Sequence, residues 1–330
     1  MNFLMCSVGR RGELLKDFRK SMSADSRLIA TDNSQYAPAL YFADKAYIVP
    51  KIAEETYIPA LLDICRIENI AAIATFIDPE IEILAKNRSV FEEKGIKVLV
   101  PYFETAKLCF DKYEMYKHLI THNVPTIPTY GDLEEFYVAY QKKQIDFPVF
   151  VKPRTGSGSV GARKIGTLNE LKEATEGDPS LIIQKCMTGT DLDADVYVDL
   201  KSNKVVSIFS KKKLSTTIGG ANKTISFKDE QLVELIKKVA DGLQLYGPND
   251  MDFFYENGTY YLSEINPRFG GAYLHAYGAG VDFIKLILNN LKGIENEPLF
   301  GNYEDNIVMM MYDSVVVKSK DEISEFTISM

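Results

Sequence analysis

Apolar and polar residues alternate with two different periods along the first 105 residues. Five short apolar runs are typical of strands buried on both faces: residues 2–8, 27–31, 46–49, 71–76 and 97–100. Three longer segments carry apolar residues at helical spacing: 12–22, 57–68 and 80–94. This regular exchange of strand and helix predicts a small parallel sheet covered by helices.

The rest of the chain predicts a smaller α/β unit followed by a β-rich unit. Helices are predicted at residues 111–122, 132–143 and 229–243. Strands are predicted at 147–151, 181–184, 193–200, 205–210, 251–255 and 259–265, and the apolar tail at 306–317 is also strand-like. We therefore divide the chain into a first domain at 1–105 and two lobes at 106–185 and 186–330.

Composition and charge exclude several functional classes. The chain has 330 residues, of which 46% are apolar and 25% charged, and its net charge is −8 without a long basic run. These values are ordinary for a globular protein and make nucleic acid an unfavourable main partner. No apolar run reaches about 18 residues, and no C-x-x-C pair occurs among the four cysteines. We expect a cytoplasmic protein with no membrane partner.

The segment VKPRTGSGSVG at residues 151–161 contains three spaced glycines, Gly156, Gly158 and Gly161. A P-loop would continue with Lys-Ser or Lys-Thr, and a dinucleotide fingerprint would continue into a helix, but neither follows here. A strand, a flexible Gly/Ser flap and a second strand fit the pattern better. Lys152 at the end of the first strand would then meet a phosphate, and flap amides would close over other phosphates. An ordinary glycine-rich hairpin is the alternative.

A second group of polar residues lies in MDFFYENGTYYLSEINPRFGG at residues 251–271. The turn Glu-Asn-Gly predicts a hairpin. Because residues two apart share a strand face, Glu264 and Asn266 point the same way, and the hairpin brings Asp252 alongside. Such oxygen ligands suit Mg²⁺, and Arg268 could neutralise a transferring phosphate. The alternative is a solvated acidic face.

Two loops of the first domain also follow strands. Arg10 and Arg11 lie between the first strand and the first helix, a position where anions bind well. The two arginines either contact an anionic substrate or are ordinary charged residues of the surface. Asp78, which precedes Pro79, either caps the following helix or contacts substrate, and the cap is the favoured interpretation.

Together these motifs resemble the ATP-grasp superfamily over roughly residues 106–295, with 1–105 similar to its usual preceding domain. The most specific elements are the Lys152 strand with its glycine-rich flap and the run Glu264-Ile265-Asn266-Pro267-Arg268. Within the superfamily the chain is most similar to a single ATP-binding unit of the carbamoyl-phosphate synthase large subunit and to the free-standing relatives of that unit. The resemblance implies an α/β protein with a Rossmann-like pre-ATP-grasp domain and a two-lobed ATP-grasp fold.

The resemblance also assigns roles to individual residues. The nucleotide-binding set is Lys112, Lys152, Gly156, Ser157, Gly158, Ser159, Gly161, Gln184, Lys185, Met187 and Asp191. Gln184 begins an adenine hinge where the family usually has Glu, and Asp191 stands where a longer Glu usually holds the ribose. Asp252, Glu264 and Asn266 match metal ligands. The catalytic set is Arg268, Lys213 and Lys211, of which the two lysines could instead be a solvated run.

The implied chemistry is carboxylate activation by ATP with Mg²⁺, or Mn²⁺ in its place. An acyl phosphate forms, and an amine or ammonia then attacks it. The first functional hypothesis is thus a carboxylate–amine ligase acting on small molecules. The alternatives are one component of a split carbamoyl-phosphate synthase-type enzyme and a non-catalytic ATP-binding regulator. A homodimer or a partner subunit is compatible with either enzyme.

Overall fold

The N-terminal part of the chain forms a five-stranded parallel sheet. The computed structural model describes residues 1–156, 161–217 and 220–324. The strands are β1 (Asn2–Cys6), β2 (Leu28–Asp32), β3 (Lys45–Ile48), β4 (Ile70–Thr75) and β5 (Lys97–Val98), in the order β3-β2-β1-β4-β5. The helices are α1 (Gly12–Ser21), α2 (Tyr57–Glu68), α3 (Asp78–Lys86) and α4 (Arg88–Glu92). Apolar clusters cover both faces of the sheet, as expected for parallel strands.

The single helix predicted at 80–94 is wrong, because the structure has α3 and α4 instead. The break falls at Asn87, whose side-chain amide donates to the Ile83 carbonyl at 2.8 Å. A side chain that competes for a helix carbonyl in this way weakens the regular backbone pattern. Arg88 then turns inward and donates to the Val98 carbonyl at 3.1 Å, which ties α4 to β5.

The middle of the chain forms a four-stranded antiparallel sheet with helices packed on it. The strands are β6 (Thr129–Tyr130), β7 (Val149–Pro153), β8 (Arg163–Ile165) and β9 (Leu181–Lys185), in the order β6-β9-β7-β8. The helices are α5 (Phe103–Phe110), α6 (Lys112–Thr121), α7 (Leu133–Gln141) and α8 (Leu168–Thr175). Asp132 caps α7 by accepting from the Glu135 amide at 2.8 Å, as its sequence position predicts. The core of this unit includes the fully buried Phe136 and Val151.

The last part forms a six-stranded sheet. The strands are β10 (Thr190–Val198), β11 (Val205–Thr217), β12 (Gly220–Phe227), β13 (Gly247–Glu256), β14 (Thr259–Asn266) and β15 (Val308–Met310), in the order β14-β13-β10-β11-β12-β15. The helices are α9 (Glu230–Leu243), α10 (Tyr273–Gly278), α11 (Phe283–Leu291) and α12 (Lys320–Ser324). All the pairings in this sheet are antiparallel.

Alternate residues of β10 divide the six-stranded sheet into two chemically different faces. Leu192, Ala194 and Val196 pack in an apolar cluster with α9. Asp191, Asp193 and Asp195 point to the opposite face, because side chains alternate along a strand. The polar face therefore carries the candidate chemistry, and the apolar face supplies the core.

The tail is only briefly a strand, which corrects the expectation for residues 306–317. β15 pairs with β12 over three residues, and beyond it Tyr312, Val315 and Val317 are 87%, 83% and 86% exposed. The alternation of apolar residues therefore predicted a strand longer than the one observed, because these three side chains are exposed and do not pack in a core. None of the described helices combines the length and apolar character that a membrane crossing requires. The domain boundaries near residues 105 and 185 stay predictions.

Candidate functional site

Acidic side chains form two rows across β10, β13 and β14. Register pairs Asp193 with Asp252 and Asp252 with Glu264 in the first row. In the second row it pairs Asp195 with Asp250 and Asp250 with Asn266. Because each row comes from directly opposed residues, the carboxylates of neighbouring strands lie on one face. Charges gathered in this way need cations or protons nearby.

The three predicted metal ligands occupy adjoining places in these rows. The side chains of Asp252 and Glu264 are each 23% exposed, and Asn266 is buried. Burial raises the pKa of Asp252, and the ammonium of Lys213, 2.5 Å from its Oδ1, opposes that rise. Two carboxylates and one amide oxygen in adjoining register positions are the hard donors that Mg²⁺ binds. The donor set therefore fits the implied metal.

The two predicted phosphate lysines approach these carboxylates from the four-stranded unit. Asp111 caps α6 through the Tyr113 and Glu114 amides, which fixes the start of the helix at Lys112. The Lys112 ammonium lies 3.7 Å from Glu264 Oε1 and donates to the Gly156 carbonyl. The structure thus brings a lysine of one unit to a carboxylate of the other.

Lys152, near the end of β7, belongs to the same cluster of charges. Burial lowers its pKa, Glu264 opposes this, and the positive charge of Lys112 lowers the pKa further. The charged form of a partly buried lysine beside a second lysine is stabilised when a polyanion binds between them. This arrangement favours phosphate binding over an ordinary surface pair.

The flap is described only at its two ends. Gly156 and Gly161 have φ of +106° and +77°, values that side-chain-bearing residues rarely adopt. Ser157, Gly158 and Ser159 lie outside the described residues. β7 and β8, on either side, pair in antiparallel register from Val149 with Ile165 to Val151 with Arg163. A hairpin therefore carries the glycine-rich segment.

The predicted adenine hinge follows β9. Gln184 is 8% exposed and donates to the Thr129 hydroxyl at 2.9 Å, which orients its amide. The backbone amide of Lys185 already donates to the Pro128 carbonyl at 2.9 Å. The Lys185 amide therefore cannot donate to adenine without losing its hydrogen bond to Pro128. Met187 is the better candidate for a backbone hydrogen bond to adenine.

Glu256, in the β13–β14 hairpin, holds the hinge in place. Its carboxylate accepts from the Thr188 amide at 2.9 Å and the Thr188 hydroxyl at 2.7 Å, and the Lys185 ammonium lies 3.1 Å away. These hydrogen bonds, first those of Thr188 and then that of Lys185, lower the pKa of Glu256 to about 2. Sequence reasoning did not select this residue, because its partners are about 70 positions away in the chain.

Asp191 and the two strand lysines are ion-paired. Lys213 lies 2.9 Å from Asp191 and 2.5 Å from Asp252, at the partly exposed edge of the acidic face. Lys211 is completely buried and contacts Asp193 at 2.9 Å and Asp195 at 2.5 Å. Burial alone would lower the pKa of Lys211, but the two aspartates outweigh it and raise the pKa above its usual range. Lys213 thus lies at the partly exposed edge of the acidic face, whereas Lys211 does not. The alternative that Lys211 belongs to a solvated run of lysines is wrong, because its side chain is completely buried.

Arg268 joins the acidic face to the first domain. Its Nη1 donates to Asp250 Oδ2 at 3.1 Å and its Nη2 to Asp78 Oδ2 at 3.2 Å. The favoured interpretation of Asp78 as a helix cap is wrong: it is the first residue of α3, whose N-cap Ile77 makes no side-chain cap hydrogen bond. Asp78 faces Arg268 because burial of a guanidinium requires opposed carboxylates.

Three buried carboxylates, Asp193, Asp195 and Asp250, escaped the sequence analysis. Oxygens of all three lie within 4.8 Å of one another. A signal was present, since aspartate recurs at every second residue in DLDAD at 191–195 and in NDMD at 249–252. Period-two acids on a buried strand indicate a polar face, and that pattern can be searched for.

The comparison with known families settles the classification. A model described as an ATP-grasp domain matches residues 109–272, and a model described as the PylC-like N-terminal domain matches residues 3–99. The chain is an ATP-grasp protein with a PylC-like N-terminal domain. The predicted superfamily is confirmed.

Curated relatives are carboxylases and ligases. One subunit of the pyruvate carboxylase of Methanothermobacter thermautotrophicus is 26% identical over 289 residues, covering 79% of this chain and 58% of the relative. D-alanine–D-alanine ligase of Francisella tularensis subsp. novicida is 27% identical over 190 residues, covering 54% of this chain and 63% of the relative. The chain thus spans under two thirds of these proteins, and only 25% of the pyruvate carboxylase of Staphylococcus aureus.

Solved structures share the fold. The biotin carboxylase domain of Hydrogenobacter thermophilus 2-oxoglutarate carboxylase, in complex with Mg-ADP, ADP and bicarbonate, has a TM-score of 0.74 at 22% identity. That match covers 93% of this chain and 73% of the other chain. N5-carboxyaminoimidazole synthetase of Staphylococcus aureus with ADP has a TM-score of 0.72 at 16% identity, covering 91% and 79%. The expected α/β ATP-grasp fold with a parallel-sheet first domain is confirmed.

Proposed function

We propose that this ATP-grasp protein is an ATP- and Mg²⁺-dependent ligase that joins a carboxylate to an amine through an acyl phosphate. The observation that carries the proposal is the approach of Lys112 to Glu264 between the two units, 3.7 Å from ammonium to carboxylate. It would put phosphate-binding cations opposite metal-binding oxygens, between the four-stranded and the six-stranded sheets. Neighbours with the same fold, in complex with Mg-ADP or ADP, support a nucleotide there.

In the first step a carboxylate oxygen attacks the γ-phosphorus of ATP. The bond from that phosphorus to the β–γ bridging oxygen breaks, and ADP leaves. Lys112, Lys152 and Arg268 would neutralise the phosphate oxygens, which requires no covalent nucleophile from the protein. Mg²⁺ held by Asp252, Glu264 and Asn266 would supply further charge neutralisation and would fix the position of the phosphates.

In the second step the amine attacks the acyl carbon. The carbon–oxygen bond to the phosphate breaks, an amide forms, and the phosphate leaves with the proton that the amine releases. An acyl phosphate is lost to hydrolysis in water, so the glycine-rich flap would serve by excluding solvent. Lys213, beside Asp252, would be the lysine that contacts the transferring phosphate.

ADP release tests the proposal. The chain is incubated with Mg-ATP and a panel of carboxylates and amines that includes bicarbonate with ammonia. ADP should form only with one type of carboxylate–amine pair. Glu264→Gln should reduce the rate of ADP formation at least a hundredfold, because the charged metal ligand and its ion pair with Lys112 are both lost. Glu234→Gln, an exposed acid of α9, is the matched control and should keep the full rate.

Two results would overturn the proposal. ATP binding without turnover on any pair favours a regulatory ATP-binding protein. Turnover that appears only after a second chain is added favours one component of a split carbamoyl-phosphate synthase-type enzyme.

A further inference from the structure

Arg154 joins the two segments that carry the predicted phosphate lysines, and it takes no part in the two steps above. It follows the last residue of β7, two positions after Lys152, and leads into the glycine-rich flap. Lys112, the first residue of α6, reaches it from the other segment, because the Lys112 amide donates to the Arg154 carbonyl at 3.0 Å. One residue therefore contacts the start of α6 and the end of β7.

The side chain of Arg154 binds the first turn of α6. Its Nε donates to both carboxylate oxygens of Asp111 at 2.7 Å, and its Nη2 donates to Glu114 Oε1 at 2.7 Å. The guanidinium also lies over the ring of Tyr113, 5.4 Å from the ring centroid. A planar guanidinium makes such contacts together, and a lysine ammonium cannot reproduce its rigid fork of donors. We call these contacts of the Arg154 side chain the Arg154 clamp.

Both ends of the Arg154 clamp are fixed by the backbone. The Arg154 amide donates to the Ser180 carbonyl at 2.8 Å, which continues the pairing of β7 with β9 by one residue. Asp111 is the N-cap of α6, and its side chain accepts from the Tyr113 and Glu114 amides. The clamp therefore connects a residue held by the four-stranded sheet to a residue held by the helix.

Arg154 itself is poorly suited to bind a phosphate. Its guanidinium is already neutralised by the carboxylates of Asp111 and Glu114, at 2.7 Å each. A phosphate would have to displace two charge-assisted hydrogen-bond partners, which are stronger than neutral ones. Any effect of Arg154 on a nucleotide therefore passes through the residues that it holds in place.

The two lysines next to the clamp interact with each other. Burial lowers the pKa of Lys152, Glu264 opposes this, and the charge of Lys112 lowers the pKa further. Two ammonium groups held at close range repel each other until an anion lies between them. Without the clamp, α6 and β7 would separate and relieve this repulsion. With it, the lysines are ordered before a ligand arrives, so less free energy is lost when the ligand binds.

The first end of the flap is attached to the same place. The Lys112 ammonium donates to the carbonyl of Gly156, two residues beyond Arg154. The backbone and the side chain of Lys112 thus both bind the segment that leads into the flap. Any movement of α6 away from β7 would carry this end of the flap with it.

We propose that Arg154 is a positioning residue that sets the spacing of Lys112 and Lys152 and thereby determines how tightly the protein holds the phosphates of a nucleotide. The inference rests on the proposed function, because that function places the phosphates of ATP at these lysines. It deepens that function by assigning phosphate affinity to a residue that does not touch the nucleotide. The base and ribose contacts proposed for Gln184 and Asp191 lie on β9 and β10, outside the clamp.

The binding of nucleotide fragments tests the inference. Calorimetric titration of the full chain measures the affinity for Mg-ADP, for Mg-pyrophosphate, which consists of the phosphates alone, and for adenosine, which has none. Arg154→Met removes the guanidinium and keeps an unbranched side chain. We expect this variant to bind Mg-ADP and Mg-pyrophosphate at least tenfold more weakly and adenosine less than twofold more weakly. A general loosening of the fold would weaken all three. Arg66→Met, which removes an exposed ion pair on α2, is the matched control and should change none of them.

Two further variants separate the clamp from other roles. Asp111→Asn keeps a side chain that caps helices equally well but removes the charge that binds Arg154, so it should also weaken Mg-ADP, at least threefold. It replaces Arg154→Met if that variant fails to fold. Lys112→Met removes one of the two lysines whose spacing is set. In that background Arg154→Met should weaken Mg-ADP less than twofold further, because residues that act as one unit are not additive.

Four results would overturn the inference. These are no binding of Mg-ADP by the native chain, unchanged Mg-ADP affinity in Arg154→Met, an equal loss of adenosine and Mg-ADP affinity in that variant, and a full tenfold effect of Arg154→Met in the Lys112→Met background. ADP release by a protein whose Mg-ADP affinity does not depend on Arg154 leaves the ligase function standing without this inference. A selective loss of phosphate affinity in Arg154→Met, with no ADP release on any substrate pair, does the reverse.

Discussion

Arg268 and Asp78 are 190 residues apart in the chain and form an ion pair between the ATP-grasp sheet and the first domain. Arg268 Nε lies 2.9 Å from Asp78 Oδ1, although the angle there is too poor for a hydrogen bond, and Nη2 donates to Asp78 Oδ2 at 3.2 Å. Both residues are buried. A side chain of the first domain therefore fixes the orientation of an arginine that the proposed reaction uses.

Asp78→Asn should destabilise the protein and slow the reaction. Removing one partner of a buried ion pair costs about 3–5 kcal/mol, and because Arg268 keeps Asp250, we expect a loss of about 2 kcal/mol. Urea unfolding measures that loss, and ADP release measures the rate. Asp63→Asn removes an exposed pair with Arg66 and should change the unfolding free energy by less than about 0.5 kcal/mol. Equal effects of the two variants would contradict a structural role for the Asp78 pair.

Lys152→Met should weaken nucleotide binding. Methionine keeps the unbranched length of the side chain but removes the charge that stands beside Lys112 and Glu264. We expect Mg-ADP affinity to fall at least tenfold, which is about 1.4 kcal/mol. Calorimetric titration with Mg-ADP measures the affinity. Lys172→Met removes an exposed charge from α8 and should leave it unchanged. Unaltered binding in Lys152→Met would show that Lys152 does not meet a phosphate.

Gly189→Ala should displace the segment between the hinge and β10. A Cβ there would lie 2.2 Å from the Tyr255 carbonyl oxygen and 2.8 Å from Glu256 Cβ, so backbone must move. Such overpacking costs about 1–3 kcal/mol, and the shift should also weaken Mg-ADP binding, because Glu256 fixes the hinge. Gly242→Ala in α9 has nothing within 4 Å of its new Cβ and should instead stabilise by up to about 1 kcal/mol. Thermal unfolding with and without Mg-ADP distinguishes the two substitutions.

His275 should make stability depend on pH between about 6.5 and 4. Burial, and then the charge of Lys211, lower the pKa of His275 to about 4. The unfolded chain therefore binds a proton first as pH falls, so the stability held above pH 6.5 is lost as pH falls toward 4. The loss amounts to about 3 kcal/mol for a shift of this size.

The His275→Gln variant checks that expectation. Glutamine can still bond to Thr224 but does not titrate, so the difference in unfolding free energy between the native protein and the variant should shrink as pH falls. A constant difference for His275→Gln would show that His275 is not held neutral by its surroundings.

Local sequence was enough to predict most helices and strands and the hairpin that carries part of the candidate site. Period-two and helical spacing predicted most strands and helices, and the Glu-Asn-Gly turn predicted the hairpin that pairs Asp252 with Glu264. These features depend on residues close in the chain, where strand alternation and turn chemistry determine which side chains share a face. Tail residues 306–317 were misjudged, because alternation is visible in sequence whereas a covering surface is not.

The tertiary structure alone decided which distant charges meet. The approach of Lys112 to Glu264, the pairing of Asp78 with Arg268, and the contact of Arg154 with Asp111 all join segments that no local pattern connects. The sequence by itself determined that acids line one face of buried strands. Which of those acids receive a partner from the chain, and which do not, depends on how the first domain and both lobes pack, because burial converts a missing partner into a large free-energy cost.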